Sequence, residues 1–141
     1  MIQPLTKEER DNLLTLAEEA RARSYSPYSH YAVGAALLTE AGKIYQGCNI
    51  ENAAFSPTNC AERTAFFKAV YEGERSFRAI AVTSTGKDPG FPCGMCRQVM
   101  AEFCTSDFLI VSSNIDRSVV VTATLEQMLP HRFGPKDLAE N

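Results

Sequence analysis

The stretch "TNCAERTAFFKAVY" (Thr58–Tyr71) and the run "RAIAVTST" (Arg78–Thr85) decide the fold between them. The first reads as a helix from about Cys60 to Tyr71, with Thr58 and Asn59 as candidate caps and Phe66, Phe67 and Val70 as its core face. The second is a short apolar run, rich in small and β-branched residues, and reads as a buried strand. The helix also opens on a cysteine, a glutamate and an arginine within four positions, Cys60, Glu62 and Arg63, which is more chemistry than a packing helix needs.

The same alternation extends in both directions. Upstream, Thr6 and Glu9 form a capping-box pattern before Leu13, Leu14, Ala17 and Ala20, which recur at helical spacing, so a first helix is expected from about Lys7 to Arg23. "SYSPYSHY" breaks it into a loop. "YAVGAALLT" and "KIYQGCNI" flank a turn containing Gly42 and read as a hairpin. "ENAAFSP" reads as an irregular connection. Downstream, "GKDPGFP" is a turn-rich loop, and a third helix runs from about Cys93 to Phe103. "FLIVSS" and "SVVVTA" are two further strands, and Thr124 opens a short helix ending at Pro130. Strands alternating with helices indicate an α/β sandwich around one sheet.

A chain of 141 residues fits one domain spanning residues 1–141 with a sizeable core. With 45% hydrophobic and 22% charged residues it has ordinary globular usage. The net charge of −3 argues against a nucleic-acid partner, which calls for a basic patch. A small-molecule partner fits better. No stretch approaches membrane-spanning length, so no membrane partner is expected. "MIQPLTKEERDNLL" carries no secretory signal pattern, and five cysteines cannot all pair internally. A cytoplasmic, reducing setting follows, in which clustered cysteines point to metal or catalysis.

The "CGMC" of Cys93–Cys96 is by itself a moderate signal, shared by redox proteins and zinc knuckles. With Cys60 it makes three thiolates, which leave one position of a zinc tetrahedron open, as a catalytic site requires. A structural site needs a fourth ligand; Cys48, Cys104, His30 and His131 are candidates, and none has knuckle-like spacing. Cys60 and Cys93 both open expected helices, where exposed N–H groups favour a thiolate. Glu62, in the first turn after Cys60, falls beside the metal without needing to bind it, the place for a proton-shuttling carboxylate. Arg63 can donate to a thiolate and draw off the charge of a three-thiolate site.

These residues resemble a known family. "CAE" at Cys60–Glu62, followed after 29 intervening residues by "PCGMC" at Pro92–Cys96, looks like the signature of zinc-dependent nucleoside deaminases. "GCNIENAAFSPTNCAERTAFFKAV" and "PCGMCRQVMAEF" resemble the small cytidine deaminases in particular. The resemblance runs from about Ala32 to Leu138. It implies a three-layer α/β/α sandwich with a central mixed five-stranded sheet, one Zn²⁺ per subunit on Cys60, Cys93 and Cys96, and hydrolysis of cytidine and 2′-deoxycytidine to the uridines and ammonia, in pyrimidine salvage. It assigns to Glu62 the proton transfers that accompany attack of hydroxide at C4. It matches Asn49 and Glu51 to positions that bind ribose hydroxyls, Ala61 to a backbone contact with the base, and Tyr31 to an aromatic position against the base. It matches Phe55 and Phe133 to aromatics that neighbouring subunits contribute, and so implies a homotetramer with shared active sites. The family's dimeric relatives use His where this chain has Cys60. Phe91 stands where the small deaminases more often carry Ser, a departure expected to alter only a local loop contact.

Other readings stand beside these. Cys48 and Cys104 read as buried free thiols, and Arg97 as a solvated or interface charge. A nucleic-acid editing deaminase shares the zinc core but needs an electropositive channel and stacking aromatics, against a pI near 5.4 and no tryptophan. A protein-binding zinc module predicts a closed four-ligand site.

Overall fold

The computed structural model describes residues 4–139. The first helix, α1 (Lys7–Arg21), starts with the capping box expected: Glu9 N–H donates to Thr6 Oγ1 at 3.0 Å, and Thr6 N–H donates to Glu9 Oε1 at 3.0 Å. It stops two residues short of the expected end, because Arg23 N–H turns back to Ala20 O and tightens the last turn.

Five strands follow: β1 (Val33–Thr39), β2 (Ile44–Cys48), β3 (Phe77–Ser84), β4 (Leu109–Ser113) and β5 (Val120–Thr124). They form one sheet in the order β2-β1-β3-β4-β5. Only β3 and β4 run parallel, with Ala79 opposite Leu109 and Thr83 opposite Ser113; the other neighbours are antiparallel, so the sheet is mixed. Gly42, at φ 94°, supplies the left-handed turn of the β1–β2 hairpin. Between the strands lie α2 (Ala61–Tyr71) and α3 (Gly94–Phe103), and α4 (Leu125–Met128) follows β5. Pro135–Asp137 forms a 3₁₀ turn.

Strand alternation sorts the core into two faces. Ala35, Leu37, Ile80, Val82 and Ile110 pack against Ala61, Ala65, Phe66 and Ala69 of α2 and Met100 of α3. Ala36, Leu38, Ala79, Ala81 and Val111 pack against Leu13, Leu14 and Ala17 of α1. The result is the three-layer α/β/α sandwich. Gly34 is required by this packing: a Cβ there would lie 2.0 Å from Ala17 O, so any side chain would push α1 off the sheet. The expected core face of α2 needs one correction. Phe66 is fully buried, but Phe67, about 100° further round the helix, is 48% exposed.

The functional residues gather at one edge of the sheet. Val33 at the start of β1 pairs with Ser84 at the end of β3, and Gly34 pairs with Cys48 at the end of β2. The connection from β2 reaches α2 along this edge, ordered by the bridges Tyr25–Ile50 and Ile50–Asn59. The connection from β3 reaches α3 there as well, so both helices begin at the same place.

Candidate active site

Cys60 is the N-cap of α2 and Cys93 the N-cap of α3; neither makes a side-chain capping bond. The capping role expected of Thr58 and Asn59 therefore falls to Cys60, and Asn59 instead donates from Nδ2 to Thr64 Oγ1 at 3.1 Å. Cysteine is not among the favoured caps, so two helices opening on free thiols give up capping energy at both ends of one site. Cys96 follows one turn into α3 and is 1% exposed.

The three Sγ atoms lie within 4.8 Å of one another, with Cys60–Cys93 at 3.8 Å and Cys93–Cys96 at 3.6 Å. Zn–S bonds of about 2.3 Å in a tetrahedron put sulfurs about 3.8 Å apart, so the donor set fits zinc. Among the described residues no other histidine, cysteine or carboxylate joins this cluster. Cys48, Cys104, His30 and His131 lie outside it. Cys104 is a half-buried thiol whose pKa burial pushes up, and burial also raises that of Cys48; both behave as packed thiols.

Charge is arranged around the sulfurs. Arg63 Nη2 donates to Cys60 Sγ at 3.3 Å. The Cys60 thiol is brought down to about 5, first by a hydrogen bond from Cys96 and then by Arg63, against the opposing effect of burial. Cys96 moves the other way, because it supplies that hydrogen bond and is itself buried. Glu62, in the first turn of α2, is only 4% exposed. Burial pushes its carboxyl up to about 7, the Cys60 thiolate adds to the rise, and Arg63 opposes it. A carboxyl poised there can both take and give a proton near neutral pH.

The cluster opens into a cavity of about 310 Å³. Cys60, Ala61, Glu62 and Cys93 line one end, and Ser29, Asn49 and Glu51 line the rest together with Tyr31. Asn49 is 8% exposed and heavily committed: Oδ1 accepts from Val33 N–H at 2.9 Å and from the Ser24 hydroxyl, and Nδ2 donates to Tyr31 O at 2.8 Å. One Nδ2 hydrogen is left over. Glu51 Oε1 accepts from Tyr28 N–H at 2.9 Å and Ser29 N–H at 3.1 Å, while Oε2 meets the Ser29 hydroxyl. The Ser29 hydroxyl, with these amides, holds the Glu51 carboxyl below its usual value, so it is a fixed anion.

Phe55 and Phe133 stand apart from this cavity. Phe55 is 71% exposed, holds a left-handed backbone (φ 63°) and meets Tyr28 edge-on with ring centroids 6.3 Å apart. It lines a neighbouring depression with Tyr28, Ser29, Glu51 and Thr58. Phe133 is 57% exposed, and its carbonyl accepts from Gln98 Nε2 at 2.9 Å.

Several wall residues escape the sequence reading. Ser29 sits in a loop whose contact with Glu51 spans distant parts of the chain, so no local pattern marks it. Val82 and Ser84 also line the cavity; their place follows from the end of β3, which the strand pattern gives. Phe91 lines the cavity as well, so the departure from Ser changes its wall and not only a loop contact.

Comparison with known proteins bears on the same region. A family model, the cytidine and deoxycytidylate deaminase zinc-binding region, matches residues 7–112. A cytidine deaminase of Sporosarcina psychrophila is 50% identical over 129 residues, covering 92% of this chain and 94% of its own length. One from Halalkalibacterium halodurans is 46% identical over 130 residues, covering 92% and 98%. The crystal structure of cytidine deaminase from Burkholderia pseudomallei superposes with a TM-score of 0.84 at 42% identity, over 92% of this chain and all of that one.

Proposed function

Since the chain belongs to the zinc-dependent cytidine and deoxycytidylate deaminase family, we propose that it hydrolyses cytidine and 2′-deoxycytidine to the corresponding uridines and ammonia. The observation that carries this reading is a three-cysteine cluster with Glu62 buried beside it at a cavity of about 310 Å³. Cys60, Cys93 and Cys96 would hold the metal. When bound, zinc acts as a Lewis acid that makes water a competent nucleophile near neutral pH. Glu62 would take a proton from the attacking water and pass it to N3 of the pyrimidine, then take the second proton, from the new C4 hydroxyl, and give it to the departing amine as the C4 carbonyl forms. Arg63 offsets thiolate charge through its bond to Cys60 Sγ. Ala61 meets the base through its backbone and Tyr31 through its ring. Asn49 and Glu51 take the ribose hydroxyls, Glu51 as a fixed acceptor already oriented by Ser29.

A nucleoside fits this cavity better than a nucleotide. Its lining includes Glu51 and Glu62 and no lysine or arginine, so nothing there answers a 5′-phosphate. The same lack of cations, with a net charge of −3, weighs against a nucleic-acid strand. Residues 1–141 act as one catalytic domain in this reading. Five free thiols favour a reducing cytoplasm and a role in pyrimidine salvage.

The active assembly in this proposal is a homotetramer in which Phe55 and Phe133 complete neighbouring sites. What supports it is their exposure, which leaves two aromatics free beside or away from their own cavity. Mixing inactive Glu62→Gln chains with inactive Phe133→Ala chains should restore part of the activity after subunit exchange; no restoration would refute sharing.

Purified protein, zinc-loaded or stripped with a chelator, tests the reaction on cytidine, 2′-deoxycytidine and cytidine 5′-monophosphate. Loss of cytidine absorbance with stoichiometric ammonia, abolished by stripping and restored by zinc, is expected for the two nucleosides. Turnover of the monophosphate alone, or of none of them, would overturn the reading.

A further inference from the structure

We propose that Arg97 is a positioning residue for the metal site: its guanidinium ties the Pro92 carbonyl, one residue before Cys93, to the Met128 carbonyl at the end of α4. Sequence alone offers Arg97 as a solvated or interface charge; the structure adds two specific bonds. Arg97 Nε donates to Pro92 O at 2.7 Å and Nη1 donates to Met128 O at 2.7 Å. Arg97 is only partly exposed, and among the described residues it makes no ion pair.

The need for such a tie follows from where the three thiolates sit. Cys96 is carried inside α3 and its place is set by the helix. Cys93 is the N-cap, without a side-chain capping bond, and the helix holds it through its carbonyl, which accepts from Arg97 N–H at 2.9 Å. The chain reaches it through "GKDPGFP", Gly86–Pro92, which contains no strand or helix. Pro92 has no N–H, so its carbonyl is the one backbone group through which hydrogen bonding can fix that residue. Arg97 uses it. The other anchor, Met128, ends a short helix whose last carbonyls have no partner within the helix. Both bonds come from one planar, rigid fork, so the spacing of the two carbonyls is set by a single group. Arg63 acts on Cys60 by direct donation to sulfur; Arg97 acts on Cys93 through the backbone.

This inference rests on the reading of the cysteines as zinc ligands, and its test reads metal binding apart from turnover. Zinc-free parent, Arg97→Gln and Arg97→Lys proteins are titrated with Co²⁺, following the thiolate-to-cobalt absorption, and then with Zn²⁺ in competition. Apo melting temperatures are recorded in parallel to separate loss of the site from loss of the fold. Outer partners of metal ligands typically govern metal affinity by about 10–100-fold, so Arg97→Gln should weaken binding about tenfold or more. Arg97→Lys, which keeps the charge but lacks the planar fork, should be intermediate, with apo melting close to the parent in both. If Arg97→Gln does not fold, Arg97→Lys decides by the same criterion. Metal affinity within about twofold of the parent in either folded variant overturns the inference. A protein that binds Co²⁺ as expected but does not deaminate cytidine would defeat the proposed reaction and leave this role for Arg97 intact.

Discussion

The two ends of the cavity are built in different ways. At the thiolate end, Cys60, Ala61, Glu62 and Arg63 are consecutive on one helix start, and Cys93 and Cys96 lie one turn apart on another. At the other end, Asn49 and Glu51 lie in a connection, held by Ser24, Tyr28, Ser29, Tyr31 and Val33 from a different loop and strand. At the first end the chemistry depends on the burial of one side chain: Glu62, 4% exposed, is driven up to about 7 and is suited to move protons. The second is polar, and its anion, Glu51, is held down by donated hydrogen bonds. One protein thus raises one carboxyl towards neutrality and lowers another, by burial in one case and by hydrogen bonding in the other.

If the ends do separate tasks, variants should separate too. The largest effect is expected for Cys93→Ala, which removes one of the three proposed metal ligands: zinc content should fall from about one per chain to near none, with activity and thermal stability lost together, since metal binding is coupled to folding. Metal analysis on the purified variant checks this, and full zinc content would remove Cys93 from the ligand set. Glu51→Gln comes next and should act on binding. Charge-assisted hydrogen bonds contribute about 1.5–3 kcal/mol, so KM for cytidine should rise about tenfold or more while kcat changes little. A fall in kcat with KM unchanged would place Glu51 in the chemistry and erase the distinction between the ends. Arg63→Gln should leave a folded protein that releases zinc about tenfold faster to a chelator; unchanged release would reduce Arg63 to a surface charge.

The smallest effect lies away from the site and serves as a control. Arg78 holds the Glu9 carboxyl at about 2, through hydrogen bonds of 2.6 and 3.1 Å that join β3 to the start of α1. A depressed carboxyl contributes stability above its unfolded value of about 4.5, and that contribution is lost as pH falls through about 2. Glu9 is more than a third exposed, so the pair contributes about 1 kcal/mol at most. Denaturant melts of parent and Glu9→Gln should differ by that amount above pH about 5 and converge as pH falls towards 2. Divergence on acidification would reverse the sign of the argument.

The two ends also differ in how well the sequence reveals them. The thiolate end is legible because its residues are neighbours along the chain and their types are rare together. The sheet was legible as well, since its strands carry near-continuous apolar runs such as "RAIAVTST". Cys60 and Cys93 open their helices as the pattern indicates, though the caps assigned to Thr58 and Asn59 were displaced by the cysteine itself. The loop that orients Glu51 was not legible. Ser29 is 22 residues from Glu51, and a serine in a Ser/Pro-rich loop carries no mark of a distant partner. The two bonds of Arg97 were not legible for the same reason, because one of its two carbonyls belongs to a helix 31 residues away. Phe67 failed differently: helical periodicity places a face, but which neighbour covers it depends on packing that the period does not contain.

The central claim is that Glu62 moves protons beside a metal it does not bind. The most direct test is Glu62→Gln, purified with its metal, with zinc content and the rate of ammonia release from cytidine measured on the same sample. The amide keeps the size of the carboxyl and cannot accept the proton. Zinc should stay at about one per chain, while the rate falls by roughly a hundred- to ten-thousandfold. Near-parental turnover at full zinc content would contradict the claim, and so would loss of the metal, which would make Glu62 a ligand.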